Sequence, residues 1–373
     1  MINGRFLAQP MTGVQRYAHE IVRGLDRLVA EEHALARDLE FELLVPPEAK
    51  TSIELDRIPI RPVGSSQGHR WEQTVLPLHA QGGLLSLCNT GPVAVRKQIV
   101  CIHDVNTRAF PQSYSRSFRS LYRVLLPLLG KTARQITTVS HYSASELVRL
   151  GICGHRKLAV VPNGHEHALR WVPQHSAATR LVAGPNTIVV IGSSIPHKNI
   201  GLIVGLAGRL TDAGLKVAVV GMSDARVFSG SVPQAHNGNI HWLGRLPDDA
   251  LAALLHDSMC LAFPSFVEGF GLPPLEAMAL GCPVIASDRA SLPEICADAA
   301  LYAPPDNPDA WFDNFVRLHN APLLRASLIT RGRARLAHYR WQASAERYLE
   351  IMAQLDRVHA GKPMAARPLP LIS

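Results

Sequence analysis

The stretch FPSFVEGFGLPPLEAMALGCPVIAS, residues 263–287, decides the fold. Its lead-in, LAFPS, reads as a short buried strand. Gly269 and Gly271 permit backbone angles that other residues avoid, so the chain can turn sharply there. Pro273 and Pro274 suit the first turn of a helix, where a missing N–H costs nothing. LEAMALG then reads as a helix that stops at Gly281, and PVIAS as the next strand. The unit is strand, glycine loop, helix, strand. The start of such a helix offers unpaired N–H groups and the positive end of the helix dipole, which together favour a phosphate. Glu276 falls in the first turn. It can accept hydrogen bonds from sugar hydroxyls, as acidic residues do with ribose in nucleotide folds, or simply complement the dipole. Glu268 precedes the turn, and either faces the same cleft or is a solvated loop acid.

The surrounding chain repeats the rhythm. In the N-terminal half, IN or INGRF, FELLVP, GLLSLC, QIVCIHD, ITTVS and LAVVPN read as strands, and QRYAHEIVRGLDRLVAE, FRSLYRVLLPLLGKTA and SASELVRLG as helices. The segment WVPQHSAATRLVAGPN (171–186) interrupts the pattern and reads as a linker. The alternation then resumes with TIVVIG, KVAVVG, NIHWLG and CLAFPS as strands. NIGLIVGLAGRLTDAG and DDALAALLHDS are expected as helices, and RARLAHYRWQASAERYLEIMAQLDRV as one long amphipathic helix. Strands alternating with helices predict parallel sheets. The fold expected is α/β: two Rossmann-like, doubly wound parallel-sheet domains facing an interdomain cleft, with ligands at the carboxyl ends of the strands. The boundaries read as 1–175, 184–337, and 338–373 for a C-terminal helix crossing back to the N-domain, with a loose Pro-rich tail.

Composition limits the function classes. The chain has 373 residues, 47% hydrophobic and 18% charged, as a globular two-domain protein would. MINGRFLAQP lacks an apolar core of signal-peptide length, and no apolar run approaches the ~18 residues of a membrane-spanning helix. The first strand has almost no residues before Asn3, which reads as a truncated start or a minimal strand. Six scattered cysteines without a C-x-x-C pair fit buried thiols in a reducing cytoplasm better than disulfides or a metal site. The net charge of +8 sits in the first half, where residues 1–180 hold 22 Lys and Arg against 14 Asp and Glu. SYSRSFRSLYRVLLPLLGKTARQ mixes arginines with Phe, Tyr and Leu. That is either a basic amphipathic surface for anionic lipid, or a core helix with a solvated basic face. No recognisable nucleic-acid motif accompanies the basic half, so nucleic acid is not the expected partner.

EGFGLPPLE matches the E-x7-E signature of the retaining glycosyltransferases of family 4 (glycosyl transferases group 1), which have the GT-B fold and include bacterial polysaccharide mannosyltransferases. Further pieces fall in that family's order: TGVQRYAHEI near the start, CIHD (101–104), VSHYSASEL (139–147), VVPNG (160–164), GSSIPHKN (192–199) and WLGRLPDDALAALLHDS (242–258). The resemblance spans essentially the whole chain. It implies that Lys198 binds the donor diphosphate, Glu276 holds the ribose and Glu268 contacts the transferred sugar. Gly269, Phe270, Gly271 and Leu272 would supply the backbone approach to sugar and diphosphate. Gly13 would be the loop glycine that lets the first helix near the phosphates, His103 the cleft histidine, and Leu246 the contact to the base. Ser193 and His197 stand where many relatives carry arginines, so either His197 or an N-domain arginine helps with the phosphates or Lys198 works more alone. CNTGP (88–92) is a candidate acceptor contact.

The resemblance further implies transfer from a nucleotide-diphospho-sugar, mannose from GDP-mannose being the guess, to a polyprenyl-diphosphate-linked oligosaccharide. The product would serve exopolysaccharide, lipopolysaccharide or O-antigen synthesis. The protein would be cytoplasmic and peripheral on the inner face of the membrane. No D-x-D motif stands where a metal would need one, and PDD (247–249) reads as a helix cap. The expected chemistry is metal-independent and needs no cofactor beyond the donor substrate. Two other classes compete: a nucleotide-sugar 2-epimerase of the same fold, against which the E-x7-E unit argues, and a non-catalytic nucleotide-sugar-binding subunit, against which Glu268, Glu276 and Lys198 together argue.

Overall fold

The computed structural model describes residues 1–49, 53–193, 195–221 and 238–359. The tail GKPMAARPLPLIS, expected to be loose, and Ser194 of the GSSIPHKN stretch lie outside the described residues. The chain divides into two compact units, residues 1–84 with 341–373, and residues 85–340.

In the first unit, β1 (Ile2–Asn3), β2 (Leu43–Val45) and β3 (Ile60–Pro62) pair in parallel in the order β3–β2–β1. The helix Gly13–Ala30 buries Tyr17, Ile21, Leu25 and Leu28, a stripe at the spacing of helical turns. On the same helix the buried Asp26 carboxylate accepts the backbone N–H groups of Asp56, Arg57 and Ile58 at 2.8, 2.9 and 2.7 Å, which fixes the approach to β3. The helix Trp341–His359 belongs to this unit and packs on the first helix. The hydroxyls of Tyr17 and Tyr348 lie 3.0 Å apart, and the Tyr17 ring meets Trp341 edge-on.

β4 (Leu84–Ser86) carries the chain from one unit to the other. In the second unit, β5 (Gln98–Cys101), β6 (Gln135–Thr138) and β7 (Leu158–Val160) run parallel. Val100, Ile102 and Ile136 meet Leu125, Leu126 and Leu129 of the helix Arg116–Thr132 in one core. The same unit holds a six-stranded sheet in the order β10–β9–β8–β11–β12–β13, every pair parallel. Its strands are β8 (Thr187–Ile191), β9 (Lys216–Val220), β10 (Ile240–Gly244), β11 (Cys260–Phe263), β12 (Val284–Ser287) and β13 (Ala300–Ala303). Strand order reverses between β8 and β11, the switch point at which ligands bind such sheets. One face packs Ile188, Val190, Val217 and Val219 against Trp311, Phe315 and Leu318 of the helix Pro308–Asn320. Burying a side chain such as Phe315 contributes roughly 1.5–3 kcal/mol. All six cysteines are free thiols, five buried and Cys88 half-buried.

Two of the expected helices differ from the sequence reading. The single long helix expected after residue 332 is broken into Pro322–Leu336 and Trp341–His359. Between them the Tyr339 carbonyl accepts a hydrogen bond from His165 Nδ1 at 2.7 Å instead of continuing a helical ladder. NIGLIVGLAGRLTDAG forms two short helices, Ile200–Gly205 and Ala207–Asp212, with the weak helix former Gly205 ending the first.

Candidate functional site

Lys198 closes a short 3-10 turn, Pro196–Lys198, that follows β8. Asn199 adopts a left-handed conformation, φ 54°, and its side-chain amide donates to the carbonyls of Pro264 and Pro305 at 3.2 and 2.7 Å. Asn tolerates that conformation better than most residues. The Phe266 amide donates back to the His197 carbonyl at 2.8 Å. The turn after β8 is thereby fastened to the loop after β11, and Lys198 Nζ donates to Glu268 Oε1 at 2.7 Å. The Glu268 side chain is only 11% exposed, and Lys198 Nζ also stands 5.5 Å from the centre of the Phe263 ring.

The glycine loop is held by serines. Ser291 Oγ donates to the carbonyls of Glu268 and Phe270 at 3.0 and 2.8 Å. Ser140 Oγ and Ser143 Oγ donate to the Gly269 carbonyl at 2.6 and 2.9 Å. Three successive carbonyls are therefore pinned, which fixes the orientation of the peptide planes that follow. The two glycines are needed for different reasons. Gly271 has φ 105°, the region that penalises any Cβ. Gly269 does not, but a Cβ there would lie 2.5 Å from the His103 carbonyl oxygen and 3.0 Å from Asp104 Cβ. Gly269→Ala is expected to cost roughly 1–3 kcal/mol, as overpacking does. It should appear in a melting curve as a Tm lower by several degrees; an unchanged Tm would show that the loop and the His103 strand end are not in firm contact.

The helix Leu272–Ala279 follows, with Pro273 and Pro274 in its first turn and Leu272 buried. Glu276 lies in its second turn, one residue past Leu275, and its Oε1 meets His167 Nε2 at 2.9 Å. The two side chains are 9% and 1% exposed. His167 follows the VVPNG stretch and was not singled out from the sequence. Nor was Glu294, whose carboxylate accepts the amides of His141 and Tyr142 at 2.8 and 2.9 Å, capping the helix His141–Arg149.

His103 is buried at the end of the QIVCIHD run. Its amide donates to Asn89 Oδ1 at 2.7 Å, and its ring Nε2 lies 2.8 Å from the Leu87 carbonyl, which requires a donor there. The neighbouring Asp104 carboxyl is pushed up by burial and by the Glu268 carboxylate; the Asn106 amide, His103 and Lys198 oppose the shift. His197 is buried, with Nδ1 3.0 Å from Ser113 Oγ and its ring stacked on Tyr114. Burial and the adjacent Lys198 hold its pKa down to about 4, so it is neutral at pH 7 and adds no positive charge beside Lys198.

Of the other residues expected at the site, Ser193 is half-buried just beyond β8, and Leu246 half-buried just beyond β10. Gly13 is exposed at the first position of the helix Gly13–Ala30, in the first unit. Of CNTGP, Thr90 is buried and forms an isolated bridge with Cys88. Asp248 and Asp249 sit in the first turn of the helix Asp248–Asp257, where Pro247 is the cap residue and Asp249 Oδ1 accepts the Val172 amide at 2.9 Å. Among the described residues, no group of three or more His, Cys, Asp or Glu side chains is placed to hold a metal ion.

What the arrangement offers is a cation and a carboxylate paired at a strand end, a loop of pinned carbonyls, and a second carboxylate inside the next helix. Residues 172–335 match the family described as glycosyl transferases group 1. The chain is 28% identical over 264 residues to the O-antigen chain mannosyltransferase B of Escherichia coli, a match covering 67% of this chain and 68% of that protein. It spans between 55% and 68% of the length of three curated relatives that it matches. Among solved structures, sucrose-phosphate synthase from Thermosynechococcus elongatus superposes with TM-score 0.70 at 18% identity, covering 96% of this chain and 99% of the other. Anabaena HepE in complex with UDP gives 0.67 at 15% identity, covering 94% and 98%. Lys198, Glu268 and Glu276 therefore stand in the region that matches the glycosyl transferases group 1 family, within a chain that has the two-domain α/β GT-B fold.

Proposed function

We propose that the protein is a retaining, metal-independent glycosyltransferase of family 4. Its donor is a nucleotide-diphospho-sugar, GDP-mannose as the leading candidate, and its acceptor a lipid-linked oligosaccharide in cell-surface polysaccharide synthesis. The observation that carries this reading is the Lys198–Glu268 pair. A carboxylate that holds sugar hydroxyls and an ammonium that holds phosphate, 2.7 Å apart, bracket the place where a sugar is joined to a diphosphate. As that bond breaks, negative charge builds on the leaving phosphate beside Lys198 and the start of the helix Leu272–Ala279, where it is stabilised. The acceptor oxygen forms the new bond to the anomeric carbon on the face the phosphate leaves, and its proton passes to a leaving-phosphate oxygen. No protein nucleophile is required, so catalysis is mostly positioning and charge stabilisation. Glu276 holds the ribose. Gly269, Phe270, Gly271 and Leu272 bring the backbone to sugar and diphosphate, with Ser193 and Leu246 completing the donor contacts and His103 beside the transferred sugar or the acceptor. The mannosyl choice rests on the mannosyltransferase activity for which the Escherichia coli relative is named.

A peripheral place on the inner face of the membrane is part of the same reading. No described helix is long and apolar enough to cross a membrane. Phe118, Leu121, Val124 and Leu128 are exposed on the helix Arg116–Thr132, in a stretch where residues 96–134 hold eight basic side chains and one acid. Such a surface suits anionic lipid.

The test is a thermal-shift screen against GDP-mannose, UDP-glucose and UDP-N-acetylglucosamine, with Glu276→Ala alongside. A ligand at ~100 times its Kd stabilises the native state by about 2.7 kcal/mol. A rise in Tm with one donor, absent in the variant, is the expected result; equal shifts in both proteins would remove Glu276 from the donor site. With the donor fixed, NMR of the product should show a retained anomeric configuration. Turnover should survive a chelator; loss restored by a divalent ion would overturn the metal-independent mechanism.

A further inference from the structure

Thr107, Arg108, Pro111, Arg119, Ser120 and Arg123 line a cavity of about 460 Å³ in the second unit, apart from the Lys198–Glu268 pair. Three of the lining residues are arginines. Arg108 Nη2 donates to the Arg123 carbonyl and Arg119 Nη1 to the Pro111 carbonyl, each at 3.2 Å, so the forks are braced by main chain and their remaining N–H groups stay available. Arg108 Nε is buried with no hydrogen-bond partner. Among the described residues, no carboxylate pairs with Arg108, Arg119 or Arg123. The single acid in residues 96–134, Asp104, is turned to the Asn106 amide. Three like charges around one hollow repel unless an anion joins them, and guanidinium forks match phosphate oxygens in twos.

The location narrows the anion. The segment between Asn106 and Tyr114 supplies Thr107, Arg108 and Pro111 to the cavity. From the same few residues, Phe110 stacks on Phe266, Ser113 Oγ meets His197 Nδ1, and the Tyr114 ring stacks on His197, the neighbour of Lys198. One short segment thus separates the arginine cavity from the turn that holds the donor lysine.

We propose that Arg108, Arg119 and Arg123 form an acceptor subsite that binds the phosphate or diphosphate joining the growing glycan to its lipid. The inference deepens the lipid-linked reading of the acceptor and rests on it for the ligand's class; the binding experiment does not depend on the donor. Phenylglyoxal modifies accessible arginines, and peptide mass spectrometry reads the rate at each one. Saturating geranyl diphosphate is expected to slow modification of Arg108, Arg119 and Arg123 at least tenfold, uncharged geraniol to leave it unchanged, and Arg317, exposed on another helix, to react alike in every sample. In Arg119→Ala/Arg123→Ala protein, protection of Arg108 should be lost while the donor-induced rise in Tm is kept. No protection by geranyl diphosphate would overturn the site. Protection by inorganic diphosphate at lower concentration than geranyl diphosphate would make it a pocket for a free anion and overturn the acceptor assignment. If the donor screen fails and the protection holds, only the donor reading falls.

Discussion

Lys198→Ala is expected to lower kcat for sugar transfer by about 10²–10³-fold, the usual cost of removing one preorganised group aimed at transition-state charge. Lys198 is the cation that the turn after β8 aims at the glycine loop, and His197 beside it is neutral at pH 7, so no second charge at that turn makes up the loss. The substitution has a second consequence, because Glu268 would remain largely buried without its cation. Leaving one member of a buried pair unpaired costs several kcal/mol where both are fully desolvated, and less here, where Lys198 keeps 23% of its exposure. The two effects are separable. In Lys198→Ala/Glu268→Gln the orphan charge is gone. If the loss of rate came from a disordered Glu268, the double variant should match Glu268→Gln alone in rate and Tm; if it came from lost stabilisation of the leaving phosphate, it should match Glu268→Gln in Tm while kcat stays far below it. Recovery of kcat would remove Lys198 from the chemistry. Lys198→Arg should fall in between, since a guanidinium keeps the charge but not the reach.

Much of this site was legible because its geometry is local. EGFG, PPLE and PHKN each specify a turn or a helix start through residues with narrow backbone preferences, and the strand patterns on either side place those turns at the same end of one sheet. What stayed hidden depends on chain brought from far away. Gly269 looks like a turn glycine, yet its necessity comes from the His103 carbonyl, 166 positions earlier in the chain. Ser140, Ser143 and Ser291 are ordinary cap or loop serines to a sequence reader, but their hydroxyls hold the loop carbonyls. The break at residues 337–340 was missed because the apolar spacing continues through it, while the bond that interrupts the helix comes from His165. β3 carries only three residues, one of them proline, too short for an alternation to register.

His167 is the residue most fully concealed in this way, and His167→Ala is expected to raise the donor KM about tenfold or more with kcat little changed. A hydrogen bond to a charged group contributes roughly 1.5–3 kcal/mol, and its loss frees a buried carboxylate to rotate. His167 Nε2 occupies one oxygen of Glu276 at 2.9 Å. In the proposed complex the other oxygen is the one that meets the ribose. A group that only orients a binding carboxylate acts equally on ground state and transition state, so its removal shows in KM. His167→Gln, which can still donate, should recover part of the affinity, whereas Glu276→Ala should lose more than either. A fall in kcat at constant KM would instead place His167 in the chemical step. The most direct reading comes from a 2′-deoxyribose donor. The unaltered protein should discriminate against it because Glu276 is left with an unmet acceptor, and His167→Ala should narrow that discrimination. If the ratio of the two donors is the same in both proteins, His167 does not act through Glu276.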